Sequence, residues 1–298
     1  MNHYTVEPLY VKSGDEIIAA DFYRPKNIPR PAVIIMANTL GALRQHGLVR
    51  FAQQYAGAGY AVVLFDYRYW GGSTGRPREL VEVPKQLEDW RAVVTHISER
   101  PSIDQNRIVL WGFGLGAGYA LDVATELRFV AAVMAHMPFL DGQEMTKQHS
   151  LVHLTQLAKL SSQDYMGAKV ALSPVLVPVR SRNAFAVYGS NALYEGWNLI
   201  LKPDLYWSGQ IPARVFFHLV RYRPIERLKQ INVPVFFLAA KHDDWIPIEL
   251  CRQAVTDMAL YTEYLEWETQ HFDLFQPQRF DCLIQKHLEF LSHTVGAN

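Results

Sequence analysis

Five short stretches of the chain are apolar, save for a leading Arg107 in one of them, and rich in β-branched residues: 32–37 (AVIIMA), 60–65 (YAVVLF), 107–111 (RIVLW), 129–135 (FVAAVMA) and 233–239 (VPVFFLA). Alternating polarity marks a strand with one wet face, whereas uninterrupted apolar runs of this length mark strands covered on both faces, as in a parallel sheet between helices. Segments with helical spacing fall between and after them, at 47–58, 83–100, 115–126 and 247–260, and a last helix at 277–293 closes the chain. Ahead of all these, 4–11 and 16–23 alternate around "KSGD", which predicts an antiparallel hairpin. Strand and helix taking turns, with right-handed crossovers, give a doubly wound, mostly parallel α/β sheet.

One interval breaks the rhythm. From 143 to 230 the pattern offers no strong strand, only two helix-like pieces, the proline-interrupted "LSPVLVPVR" and a scatter of aromatics: Tyr165, Phe185, Tyr188, Tyr194, Trp197, Tyr206 and Trp207. An insertion of this size between two sheet strands reads as a helical cap over the carboxyl edge of the sheet, where open α/β sheets bind ligands. The expected organisation is a core made of 1–142 and 231–298 with a cap of 143–230. An aromatic packing subdomain that touches no ligand is the plainer alternative.

Composition narrows the function. At 298 residues and 49% hydrophobic content the chain can bury a large core, and 29 basic against 29 acidic residues give no field that would draw it to nucleic acid or an anionic membrane. Cys251 and Cys282 have no paired spacing, the first residues lack an apolar leader, and no run reaches the roughly 20 apolar residues of a membrane span. The expectation is a soluble, cytoplasmic protein with no nucleic-acid or membrane partner.

The chemistry concentrates in three places. "WGFGLGAG" (111–118) runs from a strand into a helix with the spacing of G-x-S-x-G, but with Gly114 at its centre. It is neither G-x-G-x-x-G, since glycines 112, 114, 116 and 118 alternate, nor a phosphate loop, since G-K-[ST] is missing. Close helix–sheet packing alone would also explain such glycines. After the strand 233–239 comes "KHDDWIP", and after the strand-like 261–267 comes "HFDLF" with His271. A carboxylate after one late strand and a histidine after the next reproduce the chain order nucleophile, acid, histidine. Asp243 and Asp244 both qualify as the acid, and the spacing to Pro247 favours Asp243. His242 beside them has no second cluster at metal-ligand spacing, so neither a metal nor a cofactor is expected. Ser73 in "GGSTG" lacks an elbow and reads as a turn residue.

Together, "FDYRYWGGSTGRPRE" (65–79), "WGFGLGAG", "KHDDWIP" and "HFDLF" resemble the α/β-hydrolase superfamily over nearly the whole chain. Within it they are similar to the dienelactone-hydrolase-like and polyketide-transferase-like branch, which includes fungal enzymes that release or transfer polyketide acyl chains. The resemblance implies that Gly114 stands at the nucleophile position, Asp243 at the acid and His271 at the base. It implies an oxyanion hole from the backbone N–H of Leu115 and of a residue after AVIIMA, where the family carries His-Gly and this chain carries Asn38-Thr39. Leu40 is the candidate donor there, with Thr39 next. Thr39, His136 and Trp197 are candidates to line the pocket, as is His46. The implied substrate is a small-molecule hydrophobic acyl ester or thioester, and delivery of it to this chain by an acyl carrier protein is among the expectations.

Glycine supplies no oxygen, so covalent catalysis at 114 is out of reach for this chain. The expectation is an acyl hydrolase, thioesterase or acyltransferase, lactone formation included, that is active with serine at 114, the present chain being an inactive Ser-to-Gly form. The alternative is a natural protein without a nucleophile, either a ligand-binding pseudoenzyme or a His–Asp dyad acting as general base. A pure scaffold is the third class, and it predicts a filled pocket.

Overall fold

The structure, a computed structural model, describes residues 3–147, 149–182, 185–258 and 262–296. The opening hairpin is β1 (Tyr4–Ser13) and β2 (Glu16–Pro25), turned at Gly14, whose φ is +58°. There follow β3 (Val33–Ala37), α1 (Leu48–Gly57), β4 (Ala61–Phe65), α2 (Val83–Ser98), β5 (Ile108–Phe113), α3 (Leu115–Ala124) and β6 (Val130–His136). The interval after β6 holds α4 (Gly142–Thr146), α5 (Leu151–Lys169), β7 (Leu176–Pro178), α6 (Asn191–Trp197), β8 (Gln210–Pro212) and α7 (Val215–Arg221). A 3₁₀ turn, Pro224–Gln230, leads back to β9 (Val235–Ala240), α8 (Ile248–Asp257), β10 (Thr262–Trp267) and α9 (Pro277–Thr294). The expected ends of the fourth helix and the following strand, at 259–261, lie outside the described residues.

Eight strands form one sheet in the order β1-β2-β4-β3-β5-β6-β9-β10. The pairs β1/β2 and β2/β4 are antiparallel, and every pair from β4 to β10 is parallel. Every residue of β3, β4, β5 and β9 is buried, which is why their sequences show no alternation. Helices α1 and α9 pack on each other and α2 on α3, so the sheet is covered on both faces. Among the described residues no helix is long and apolar enough to cross a membrane.

The interval 143–230 differs from its reading in two respects: among its described residues it holds four helices, α4 to α7, in place of two helix-like pieces, and it contains strands. "LSPVLVPVR" carries β7, which pairs antiparallel with β8 in a second, two-stranded sheet. Three-residue strands ending in proline give no measurable periodicity, so the pattern hides them. This sheet is tied to α5 by Asp164, whose buried carboxylate accepts from the Val175 and Arg214 backbone N–H groups and pairs with Arg214 Nε at 2.9 Å.

Candidate active site

Gly114 sits between the end of β5 and the start of α3, at φ +56° and ψ −119°. That region is strained for any residue with a Cβ, so glycine holds the sharp strand-to-helix turn at least cost. The turn is fixed on both sides: Gly114 N–H donates to His136 O at 2.9 Å, and Gly114 O accepts from Phe139 N–H at 2.9 Å and Gly118 N–H at 3.1 Å. The neighbouring glycines are required by close approach. A Cβ on Gly116 would lie 2.5 Å from Asn38 O and 2.7 Å from Ala37 O, and one on Gly112 would overlap the backbone of Ala117.

Asp243 follows β9 and His271 follows β10. The two loops are joined by Lys241 N–H to Trp267 O at 2.8 Å and His242 N–H to Thr269 O at 3.0 Å. Asp243 Oδ1 accepts from Trp245 N–H and Ile246 N–H, which fixes the carboxylate, and Oδ2 accepts from His271 Nδ1 at 2.6 Å. Both side chains are buried. With the proton on Nδ1, the lone pair is on Nε2, which is buried and has no hydrogen-bond partner. The imidazole is enclosed by Phe113, Phe272 and Trp245, with ring centroids at 4.8, 4.9 and 5.4 Å.

Asp244 is directed elsewhere, accepting from Ser190 Oγ of the cap at 2.6 Å. The geometry therefore selects Asp243 of the two neighbouring aspartates. Neither caps α8, whose N-cap is Pro247 without a side-chain bond.

Leu115 follows Gly114 directly, and Leu40 lies in the loop after β3. Leu115 opens α3, at the positive end of the helix. In the loop after β3, Asn38 Oδ1 takes the Thr39 N–H at 2.9 Å, while Asn38 Nδ2 donates to Leu43 O and His46 O at 2.9 and 2.7 Å. Thr39 N–H is thereby spent, and Leu40 N–H is left with no acceptor among the described residues.

The remaining candidates fall in three places. Thr39 faces Gly114 directly, its Oγ1 3.4 Å from Leu115 N and 2.8 Å from the Tyr188 hydroxyl. Trp197 is fully buried in the cap, stacked on Trp207 at 4.9 Å and set against Tyr188 and Phe272, so it backs the site from behind two other rings. His46 packs edge-on to both tryptophans, and burial, reinforced by Lys202, pushes its pKa down to about 4.

His136 does not line the pocket. It stacks on Trp111, holds Gly112 O with Nδ1 at 2.9 Å and meets His287 with Nε2 at 2.9 Å, and it is fully buried. A histidine at a strand's carboxyl end can face either side of the sheet, and this one faces α9. Ser73 bridges Ala19 N–H and Asp66 O, and His242 pairs with Glu268 at the surface.

An apolar cavity of about 330 Å³ lies between the cap and the sheet edge, walled by Met145, Leu154, Leu157, Phe216 and Phe217 and ending on Phe139 and Trp245. Trp245 touches both sides of that wall: it is 5.5 Å from Phe139, 4.6 Å from Tyr188 and 5.4 Å from His271, ring to ring. Neither Trp245 nor Tyr188 carries a sequence signal for this role beyond belonging to "KHDDWIP" and to the aromatic scatter of the cap.

Comparisons with known proteins agree with the fold. The chain is 29% identical to the quorum-quenching protein AidA of Acinetobacter baumannii (strain MDR-ZJ06), covering 99% of this chain and 98% of that one. It is 24% identical to the polyketide transferase ATR5 of Stachybotrys chlorohalonatus, over 98% of both. Among solved structures, the α/β hydrolase GrgF from a Penicillium species superposes with a TM-score of 0.83 over 97% of this chain and 99% of its own, at 18% identity, which speaks to the fold. The sequence profile of the dienelactone hydrolase family matches residues 18–173, just over half of the chain. With that match over more than half of its length and an eight-stranded, mostly parallel α/β sheet, the chain is a member of the dienelactone hydrolase family.

Proposed function

We propose that this chain acts on apolar acyl esters or thioesters, polyketide-derived chains among them, and that its His271–Asp243 pair is a general base that works without a covalent nucleophile at 114. The observation that carries the reading is the buried 2.6 Å bond from His271 Nδ1 to Asp243 Oδ2, which leaves Nε2 unpartnered on a ring that packs on Phe113, the residue before the glycine at 114. His271 Nε2 takes a proton from a water molecule as its oxygen adds to the acyl carbon. The carbonyl oxygen becomes the oxyanion, held by Leu115 and Leu40 N–H. His271 then returns the proton to the departing alcohol or thiol, and the acyl group leaves as the acid. The apolar cavity behind Trp245 suits the acyl chain.

The test is steady-state hydrolysis of p-nitrophenyl and thioester acyl substrates by this chain and by His271→Ala. The proposal expects slow turnover that is abolished in His271→Ala, and no adduct with a fluorophosphonate. Turnover equal in the two proteins rejects it.

The second reading is the Ser-to-Gly one, in which only a serine at 114 gives activity. The elbow dihedrals favour it, since they hold position 114 as a nucleophile would need. It predicts no turnover by this chain and a large gain in Gly114→Ser.

A further inference from the structure

We infer that Thr39 is a plug in the elbow: its side chain fills the space of a residue-114 side chain, covers the oxyanion donor of Leu115, and is locked there by Tyr188 of the cap. The inference rests on the reading of His271–Asp243 as the pair that moves the proton, and adds what decides whether an acyl carbonyl can reach it.

Three contacts define the plug. A Cβ added to Gly114 would lie 2.8 Å from Thr39 Cβ and overlap Thr39 Oγ1, so the two positions cannot both carry a side chain in this arrangement. Thr39 Oγ1 accepts from Leu115 N–H at 3.4 Å, so an oxygen of the protein already stands at the donor meant for the substrate. Tyr188 supplies the lock. Its single proton goes to Leu40 O at 3.2 Å, so Thr39 Oγ1 donates its own proton to the Tyr188 oxygen at 2.8 Å. Both hydroxyls are then satisfied inside a site where neither residue is exposed.

Tyr188 comes from the cap, between β7 and α6, and its ring rests on Trp245 at 4.6 Å and Trp197 at 5.5 Å. Because burial raises its pKa far above the usual phenol range, it stays a neutral donor at any working pH. A carbonyl that enters the oxyanion position has to displace Thr39 Oγ1 from Leu115. Displacement breaks the bond to Tyr188, so the cap and the elbow open together.

The experiment compares the rates at which a fluorophosphonate labels four proteins: Gly114→Ser, Thr39→Gly/Gly114→Ser, Tyr188→Phe/Gly114→Ser, and the Thr39→Gly/Gly114→Ser protein with His271→Ala added. With Thr39 as plug, the Thr39→Gly/Gly114→Ser protein labels at least tenfold faster than Gly114→Ser, and Tyr188→Phe/Gly114→Ser falls between them. Equal rates in the first two proteins, or no labelling in either, overturn the plug. A Tyr188→Phe/Gly114→Ser rate equal to that of Gly114→Ser overturns the lock. If the added His271→Ala leaves labelling of the Thr39→Gly/Gly114→Ser protein unchanged, the reading of His271 as base fails while the plug stands.

Thermal unfolding gives a readout that needs no reaction. Thr39→Gly lowers Tm in this chain but raises it in the Gly114→Ser background. Additive shifts across that double-mutant cycle reject the steric conflict, even if Gly114→Ser folds too poorly to be labelled.

Discussion

At the scale of single residues, the glycine row of "WGFGLGAG" divides by cause. Gly114 is at a positive φ, whereas Gly112 and Gly116 are pressed against backbone that cannot move aside. Gly116→Ala is therefore expected to destabilise the protein by about 3 kcal/mol or more, at the upper end of overpacking costs, read as a drop in the urea midpoint. The Asp243/Asp244 ambiguity gives a second prediction. Asp243→Asn keeps its one oxygen on the Trp245 and Ile246 N–H groups and turns a donor amide toward His271 Nδ1, which reverses the tautomer, so hydrolysis should fall by roughly 10²–10⁴-fold, the usual range for losing a positioned proton carrier. Asp244→Asn, which removes a charge but keeps an oxygen to accept from Ser190 Oγ, should change kcat/KM by no more than about twofold, as for an exposed polar contact. That position 114, Asp243 and His271 each follow a strand was readable from the chain. The part played by Thr39 was not readable: it follows from which neighbour fills an empty volume, and spacing carries no information about volume.

At the scale of elements, strands covered on both faces were legible as continuous apolar runs, and the observed β3 to β6 and β9 begin and end within two residues of them. What stayed hidden is the side of the sheet to which each residue turns. His136 belongs to a polar chain that links β5, β6, α1 and α9. Trp111 Nε1–H donates to the Tyr55 hydroxyl at 3.1 Å, Tyr55 donates to His287 Nδ1 at 2.6 Å, His287 Nε2–H donates to His136 Nε2 at 2.9 Å, and His136 Nδ1–H donates to Gly112 O at 2.9 Å. Every donor has one acceptor, so one pair of neutral tautomers satisfies the whole chain. Burial lowers the pKa of His136 to about 3, and burial followed by the neighbouring His136 holds His287 well below its usual value. Both folded values lie under the unfolded 6.5, so the unfolded chain binds protons first as pH falls. Stability is thus fully present above pH 6.5 and is lost on acidification toward about pH 3, at up to about 1.4 kcal/mol per pH unit for each histidine. Urea titrations between neutral and acid pH should show that slope, and His136→Phe/His287→Leu should flatten it, whereas an unchanged slope would place the acid sensitivity elsewhere.

At the scale of the whole molecule, the interval 143–230 is joined to the rest of the chain through its last residues and through its middle. Arg223 pairs with Asp141, and Arg227 with Asp122 and Glu126 of the α3 region, while Tyr188 and Trp197 press inward on Phe272 beside His271. Trp245 both lines the apolar cavity and lies 5.4 Å, ring to ring, from His271, and its far edge is 3.4 Å from where a Cβ of residue 114 would be. Trp245→Ala should join the cavity to the chamber around Nε2. Each methylene that enters the cavity contributes about 0.8 kcal/mol of transfer free energy, or about fourfold in kcat/KM. Rates with a series of p-nitrophenyl esters should therefore climb with chain length more steeply in Trp245→Ala than in the parent, with acetyl esters little changed. If the substitution only loosened the packing on His271, all chain lengths would slow by a common factor. The slope of log kcat/KM against carbon number, and not any single rate, distinguishes a wall removed from a base disturbed.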